Sequence, residues 1–396
     1  MQHSTSQAPN RGKPVRLSWQ DPKLRALVYQ ALVIGLVIGM AWYLVHNTLH
    51  NLSTRNIATG FSFLEKEAGF SIGETVIDYS PADTYGRAIL VGLANTAYVS
   101  IIGLFWATLL GTVIGIARLS TNWLAARLAS LYIQCVRNVP LLLQLLVWYA
   151  LISQILPGPR AALHPVPGVF LSNRGLLVPA IEGGSTSAVT AGILLAIVAA
   201  FLATSVRNSI QRRTGSYYAI WPWTIAMLVA FPMLGWVLTG MDLQLDTPHL
   251  SGFSFAGGWN FSPELFALLA GLITYTAAFI AEIVRSGIQS VNKGQWEAAL
   301  SLGIKRSRAL RLVILPQALR VIVPPTTSQY LNLIKHSSLA VAIGYPDLVS
   351  IVNTTLNQTG QAIEGILIIM CAFLTVSLAI SLLMNLYNKR IALVER

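Results

Sequence analysis

Eight stretches of the sequence are apolar and long enough to cross a bilayer as helices, at residues 24–45, 89–116, 139–156, 189–205, 219–240, 265–284, 319–339 and 366–386. A hydrocarbon core about 30 Å thick takes about 20 helical residues, so these runs predict an all-α integral membrane protein with about eight transmembrane helices. Composition enters only to support this: charged residues make up 11% of the chain and mean hydropathy is +0.61, against roughly 25% charged residues in soluble domains. The net charge of +12 does not point to nucleic acid. The charges cluster between spans, on alternate sides, and the remaining partner they imply is membrane lipid.

That alternation sets an expected orientation. One side carries Arg11, Lys13, Arg16, Lys23 and Arg25, then Arg118, Arg127 and Arg137, Arg207, Arg212 and Arg213, the run from Arg285 to Arg320, and Lys389, Arg390 and Arg396. The other side carries Arg55, Lys66, Arg87, Arg160 and Arg174 with most of the carboxylates. Lys and Arg in short loops favour the cytoplasm, so both termini are expected to be cytoplasmic in a multi-pass membrane protein. The first span outlasts a signal-peptide core, and His46-Asn47-Thr48-Leu49-His50 lacks a small-residue cleavage pattern, so it reads as a retained helix. Cys135 and Cys371 read as small core residues rather than a disulfide. His46 and His50 have ligand spacing but no third ligand, so no metal is expected. No phosphate-binding Gly-rich loop with Lys-Ser/Thr occurs and no catalytic constellation appears. The chain has no cofactor or catalytic residue to assign, and any ATP must be spent elsewhere.

Between two spans, residues 293–302 are too short to cross the membrane and carry charge, so they lie along its surface. As a helix they place Trp296, Ala299, Leu300 and Gly303 at i, i+3, i+4 and i+7, a face small enough for another protein to approach closely; the bland alternative is an ordinary interfacial amphipathic helix. Residues 297–316 read EAALSLGIKRSRALRLVILP. This resembles the EAA pattern of bacterial ABC-importer permeases, with Glu297, Ala298, Ala299, Gly303, Leu315 and Pro316 in its slots and Val313 where isoleucine is commoner. Residues 92–120, 136–149, 277–303 and 332–350 sharpen the resemblance to permeases of polar amino-acid ABC importers, the histidine/glutamine permease family. His336 stands where that family usually has asparagine.

The resemblance implies a MetI-like permease core in two parts, 86–156 and 262–390, the second containing the EAA loop at about 288–318. To this are added a tail (1–23), an extra N-terminal span with a polar segment (24–85) and a two-span insertion (157–261), as in the enlarged permeases of general L-amino-acid importers. It further implies that an ABC ATPase dimer grips Trp296, Glu297, Ala298, Ala299, Leu300 and Gly303, that a periplasmic amino-acid-binding protein delivers substrate, and that a second, different permease completes the pathway. The alternative is an ion-coupled secondary amino-acid transporter, which needs buried titratable groups and inverted repeats.

Polar residues inside spans are costly and mark candidates for the path. Glu282 shares a helical face with Arg285, and is either a structural pair or a contact with substrate or gate. Pro324-Pro325 followed by Thr327, Gln329 and Asn332 reads as a broken helix that borders a water-filled cavity, or as a helix interface glued by small polar groups. Gln144, one turn into the third span, completes the set. Trp42, Trp221, Trp223 and Trp236 need only an aromatic belt.

Overall fold

A computed structural model describes residues 22–54, 59–182, 186–214, 220–240, 244–252 and 254–391. The basic charges expected at Arg11, Lys13, Arg16, Arg55 and Arg396 lie outside the described residues.

Twelve α-helices follow one another among the described residues: α1 (Pro22–Thr54), α2 (Tyr85–Arg118), α3 (Trp123–Asn138), α4 (Leu141–Ala150), α5 (Thr186–Thr214), α6 (Trp221–Leu238), α7 (Pro263–Gln289), α8 (Lys293–Ser301), α9 (Arg306–Ala309), α10 (Leu315–His336), α11 (Leu348–Thr359) and α12 (Ala362–Ile391). Six helical stretches among them are long and apolar enough to cross a membrane, the bent pair α3–α4 adds a seventh, and the apolar α6 is shorter. The eight apolar runs thus all become helices.

The centre of the molecule is the pair α2 and α7. Four small residues of α2 recur at every fourth position, Gly103, Ala107, Gly111 and Gly115, and all four are buried. A methyl group on Gly111 would stand 2.8 Å from the Ala277 carbonyl oxygen, and one on Gly115 would stand 2.7 Å from that of Ala281. Residue numbers rise together along this contact, so the two helices run parallel, and both therefore begin at the same face. Lipid gives no hydrophobic reward for helix association, so close approach of backbones across small residues supplies the packing.

Around this pair, Gly271 of α7 receives the Leu145 side chain of α4, and Gly287 receives Ile322 of α10. At the face where α2 and α7 begin, Phe63, Ala68 and Tyr85 pack with Leu348, Ile351 and Val352 of α11. This closes the segment before α2 over the end of α11 as a strap. Among the hydrogen bonds that fasten it, Gly60 N donates to Glu364 Oε1 at 2.7 Å, Gln361 Nε2 donates to the Gly60 carbonyl at 3.1 Å, and Asn95 Nδ2 donates to the Glu74 carbonyl at 2.8 Å.

Several expectations need correction. The run at 139–156 is helical from Leu141 to Ile155, but it is not a lone straight span: α3 precedes it and meets it at an angle of 104°, because Pro140 follows Val139 and has no N–H to continue a helix. Pro324 and Pro325 do not break α10, which runs from Leu315 to His336 with both prolines inside it. Cys135 and Cys371 are exposed rather than core residues. The insertion is not purely helical either. Short strands β1 (Phe170–Ser172), β2 (Gly175–Val178), β3 (Ala180–Glu182), β4 (Gln244–Asp246), β5 (His249–Ser251), β6 (Ser254–Ala256) and β7 (Trp259–Phe261) form antiparallel pairs, with β2 between β1 and β7 and β3 against β4. The β2–β7 and β3–β4 pairs make a ribbon that carries the α5–α6 hairpin. Gly175 sits in that ribbon at φ 107, where an added methyl group would collide with the Phe261 carbonyl oxygen.

Candidate functional site

At the face opposite the strap, α8, α9 and the start of α10 form a compact knob. Asn292 starts α8, its side-chain oxygen accepting from Gly294 N at 2.8 Å. The helix ends after Ser301 in a Schellman turn: Ile304 N donates to the Ala299 carbonyl at 3.2 Å and Gly303 N to that of Leu300 at 2.9 Å. Gly303 takes φ 73, a conformation in which glycine carries no steric penalty. It therefore lies beyond the helix, and the expected four-residue face does not exist as drawn. The motif glycine terminates α8, and nothing lies within 4 Å of the methyl group it lacks.

The other three residues of that face divide in two. Ala299 is buried and Trp296 packs against the cluster of Ala107, Val284, Ile314 and Ala318. Arg306 lies 5.6 Å over the Trp296 ring, a cation–π contact that ties the turn to the helix. Gln317 Nε2 donates to Gln295 Oε1 at 3.2 Å, linking α10 to α8. Glu297, Ala298 and Leu300 point outward, and so does Leu302. Leu300 is 48% exposed and Leu302 79% exposed, which leaves an apolar rim around an acidic residue on a rigid support. Leu302 was not singled out from the sequence. Its signal was its place between the helix end and the glycine that turns the chain.

Above the knob, Glu282 of α7 forms ion pairs with Arg285 on its own helix and with Arg118 at the end of α2. Arg137 lies 5.0 Å over the Phe279 ring one turn away. The Glu282–Arg285 pair expected from spacing is present, and Arg118 was missed because it reads as a loop charge. Both carboxylate oxygens of Glu282 are engaged, so the residue cross-links the parallel pair where it leaves the membrane.

The remaining path candidates do not converge on one point. Gln144 Nε2 donates to the carbonyls of Val136 and Val139 at 2.8 and 2.9 Å, satisfying the acceptors that the α3–α4 bend exposes. Thr327 Oγ1 donates to the Val323 carbonyl of its own helix at 3.0 Å. Asn332 is exposed and Gln329 half-buried. Asn332 shares its face of α10 with exposed Pro324, Pro325, Ser328 and Lys335, while Ile322, Val323, Leu333 and Ile334 are buried against the rest of the chain. A helix at membrane depth thus leaves one polar face uncovered by its own protein.

At the strap face, the turn Gly344-Tyr345-Pro346-Asp347 enters α11. Asn95 Nδ2 donates to the Pro346 carbonyl at 2.8 Å and Leu348 N donates to Thr96 Oγ1 at 3.0 Å, so α2 holds the turn. Asp347 caps α11, its Oδ1 accepting from Ser350 N at 2.8 Å while Oδ2 is buried without a partner. Burial pushes this carboxyl up to about 7, against the opposing pull of the backbone N–H groups.

The sequence profile described as "Binding-protein-dependent transport system inner membrane component" matches residues 188–393. YhdX of Escherichia coli (strain K12), which bears the name of an amino-acid ABC transporter permease protein, is 49% identical over 96% of this chain and 97% of its own. The general L-amino acid transport system permease protein AapQ of Rhizobium johnstonii is 45% identical over 97% and 96%. The glutamate/glutamine/aspartate/asparagine transport system permease protein BztB of Rhodobacter capsulatus is 40% identical over 99% of both. These alignments run nearly end to end, so the N-terminal helix, the strap and the hairpin fall within the aligned length. They favour an ABC permease over the ion-coupled secondary transporter. With several membrane-crossing helices and an EAA knob on one face, the chain belongs to the binding-protein-dependent transport inner-membrane components, a multi-pass inner-membrane family that works with an ATPase and a substrate-binding protein, and within it to the amino-acid ABC transporter permeases.

Proposed function

We propose that this chain is one half of an ATP-driven importer that passes L-amino acids from a periplasmic binding protein into the cytoplasm. A separate ATPase subunit docks on the rim formed by Glu297, Ala298, Leu300 and Leu302. The observation that carries this is the build of the knob: two exposed leucines and a carboxylate held outward by the buried Ala299 and the packed Trp296. Exposed apolar side chains clustered on a surface mark an interaction site. Nucleotide-driven motion of a partner seated there reaches α10 through Gln317 and α7 through the Trp296 cluster, as a rigid-body transition between packed states.

The knob lies on the Lys/Arg-rich side, which orients both termini to the cytoplasm and the strap to the periplasm. The open polar face of α10, with Ser328, Asn332 and Lys335, meets a second permease of different sequence and borders the path between them. A zwitterionic solute needs polar partners in crossing hydrocarbon, and this face supplies them.

Leu302→Asp tests the docking. Its side chain is already in solvent, so the variant folds and inserts normally, yet it loses ATPase co-purification and ATP-driven uptake in proteoliposomes. Retention of both would overturn the docking assignment. Single cysteines at Ser62 and Gly252 that react from the periplasm, and one at Ser307 that reacts from the cytoplasm, support the orientation. Mass spectrometry of every subunit in the native complex settles whether the second permease is a different chain.

A further inference from the structure

At the strap face a cavity of about 440 Å³ opens between parts of the chain that lie far apart in sequence: Glu74 and Val76 of the strap, Tyr98 of α2, Tyr345 of the turn, and Trp259 and Asn260 of β7. We propose that this cavity binds the zwitterionic head of a free α-amino acid, with Glu74 receiving the ammonium and the tyrosine hydroxyls donating to the carboxylate. This deepens the import reading and rests on it, since it places a weak holding site at the mouth of the pathway.

The volume lies within the roughly 300–1,000 Å³ typical of small-ligand pockets. Among the described residues its ionisable lining groups are one carboxylate and two phenols, with no lysine or arginine, so the site attracts a cation and repels a lone anion. Trp259 and Phe261 present aromatic surface beside Glu74, the combination that holds organic ammonium groups by charge and by cation–π attraction. Glu74 is positioned rather than free to swing. Its Oε1 accepts from Ser262 N at 3.2 Å at the start of α7, and its backbone carbonyl accepts from Asn95. Burial raises its carboxyl above the ordinary range, with Glu264 nearby pushing the same way and the Ser262 bonds opposing, and an incoming ammonium relieves that cost.

The other polar groups sort themselves. Asn95 is fully used, donating to the Glu74 and Pro346 carbonyls and accepting from Val76 N at 3.1 Å, so it builds the wall and does not bind. Tyr98 and Tyr345 line the cavity together with Glu74, and Tyr345 is almost wholly buried. In such a cavity a phenol hydroxyl can donate to a carboxylate. Part of the wall comes from the strap and from the end of the insertion, the two regions added to the permease core, and Tyr98, Leu265 and Tyr345 of the core complete it. The cavity therefore gives those additions a shared purpose that neither has alone.

The test uses the intact permease–ATPase complex in lipid nanodiscs with no binding protein present. Equilibrium binding of L-glutamine, L-glutamate and L-alanine is measured, with N-acetyl-L-glutamine as the competitor that lacks the ammonium. Saturable binding of the free amino acids, no competition by the acetylated one, and roughly tenfold weaker binding in Glu74→Gln are expected, a loss in line with a hydrogen bond to a charged group. Tyr98→Phe, which keeps the ring, weakens binding by a smaller factor and serves if the Glu74 variant does not fold. Absence of saturable binding for all three amino acids, equal competition by N-acetyl-L-glutamine, or unchanged binding in both variants would each overturn the proposal. ATP-driven uptake by the wild-type complex with its binding protein is measured in parallel. Its success alongside failed binding removes only the cavity assignment, whereas its failure removes the import reading itself.

Discussion

Two helix pairs in this molecule are packed by the same device and yet behave differently. In α2–α7, Gly111 and Gly115 let the backbones touch; in α5–α6, Gly192 faces the Phe231 carbonyl and Gly235 the Ala188 carbonyl, with an added methyl group 2.7 and 2.5 Å from those oxygens. The pairs are similarly apolar. Of the apolar stretch in α7, 61% is buried, against 6% of that in α5. The difference shows what makes a core in lipid. Apolar surface is not rewarded for leaving lipid, so a helix becomes central only when small residues on several faces admit several neighbours and polar groups tie them. The central pair has Gly271 and Gly287 on further faces of α7, the Glu282–Arg118 link, and the Tyr132 hydroxyl donating to the Thr274 carbonyl at 2.6 Å. The hairpin has one glycine contact surface and a ribbon of short strands.

The sharpest way to break this contrast is Gly115→Leu. The new side chain would have to displace the Ala281 backbone and Val284, and overpacking of this kind costs roughly 1–3 kcal/mol or more where backbone must move. We expect no stable permease in the membrane, read as loss of a monodisperse species on solubilisation. A well-folded Gly115→Leu protein would show that the central pair tolerates separation as the hairpin does.

Next in size is Glu282→Gln, which leaves Arg118 and Arg285 facing each other without a carboxylate. Hydrogen bonds to charged groups contribute about 1.5–3 kcal/mol each, and part of that is lost here. A lower melting temperature with reduced uptake is expected, and Arg118→Gln in the same background restores part of the stability by removing the unpaired charge. A Glu282→Gln variant that melts normally but transports nothing would instead favour a role in the path.

Third is Gly235→Leu, the counterpart of the first substitution. It forces α5 and α6 apart, but among the described residues no core helix packs extensively on them, so the expected outcome is a folded protein with raised protease sensitivity confined to the insertion. Global unfolding would show that the hairpin supports the core after all.

These contrasts also explain what the sequence made legible. All eight apolar runs became helices, because span length and hydropathy report directly on the cost of peptide groups in hydrocarbon. The knob was placed by its charge and shortness between spans. Hydropathy said nothing about which helices are central, since α5 and α2 are equally apolar; the four-residue spacing of Gly103, Ala107, Gly111 and Gly115 carried that information and was passed over. Gly303 was assigned to a helix face because spacing counts residues but not φ, and its positive φ reveals a helix end. The bend at Val139–Pro140 was open to reading from the proline, but the amphipathic α3 before it is too polar to register as a span. Glu282 was found by its cost in the membrane, whereas its partner Arg118 came from a helix 164 positions earlier. No local pattern encodes such a pairing.

The smallest expected effect concerns the turn that the central pair holds at the strap face, and it is a dependence on pH. Asp347 has its carboxyl pushed up to about 7 by burial, while in the unfolded chain it titrates in the ordinary carboxylate range. Below that range both states hold the proton and nothing changes. As pH rises past it, the unfolded chain releases its proton while the folded protein retains one, so the folded state loses stability steadily until pH passes about 7, where the loss levels off. Glu74, also raised by burial, adds a contribution of the same sign. Asp347→Asn keeps the side-chain oxygen that caps α11 and removes the titration, so its melting temperature should change less between pH 5 and pH 7 than that of the wild type, with the remaining slope due to Glu74 and other groups. A wild-type melting temperature that rises over this interval, or an Asn variant with an unchanged slope, would mean that Asp347 reaches water in the folded protein. The strap and α11 would then be fastened to the core no more tightly than the hairpin is.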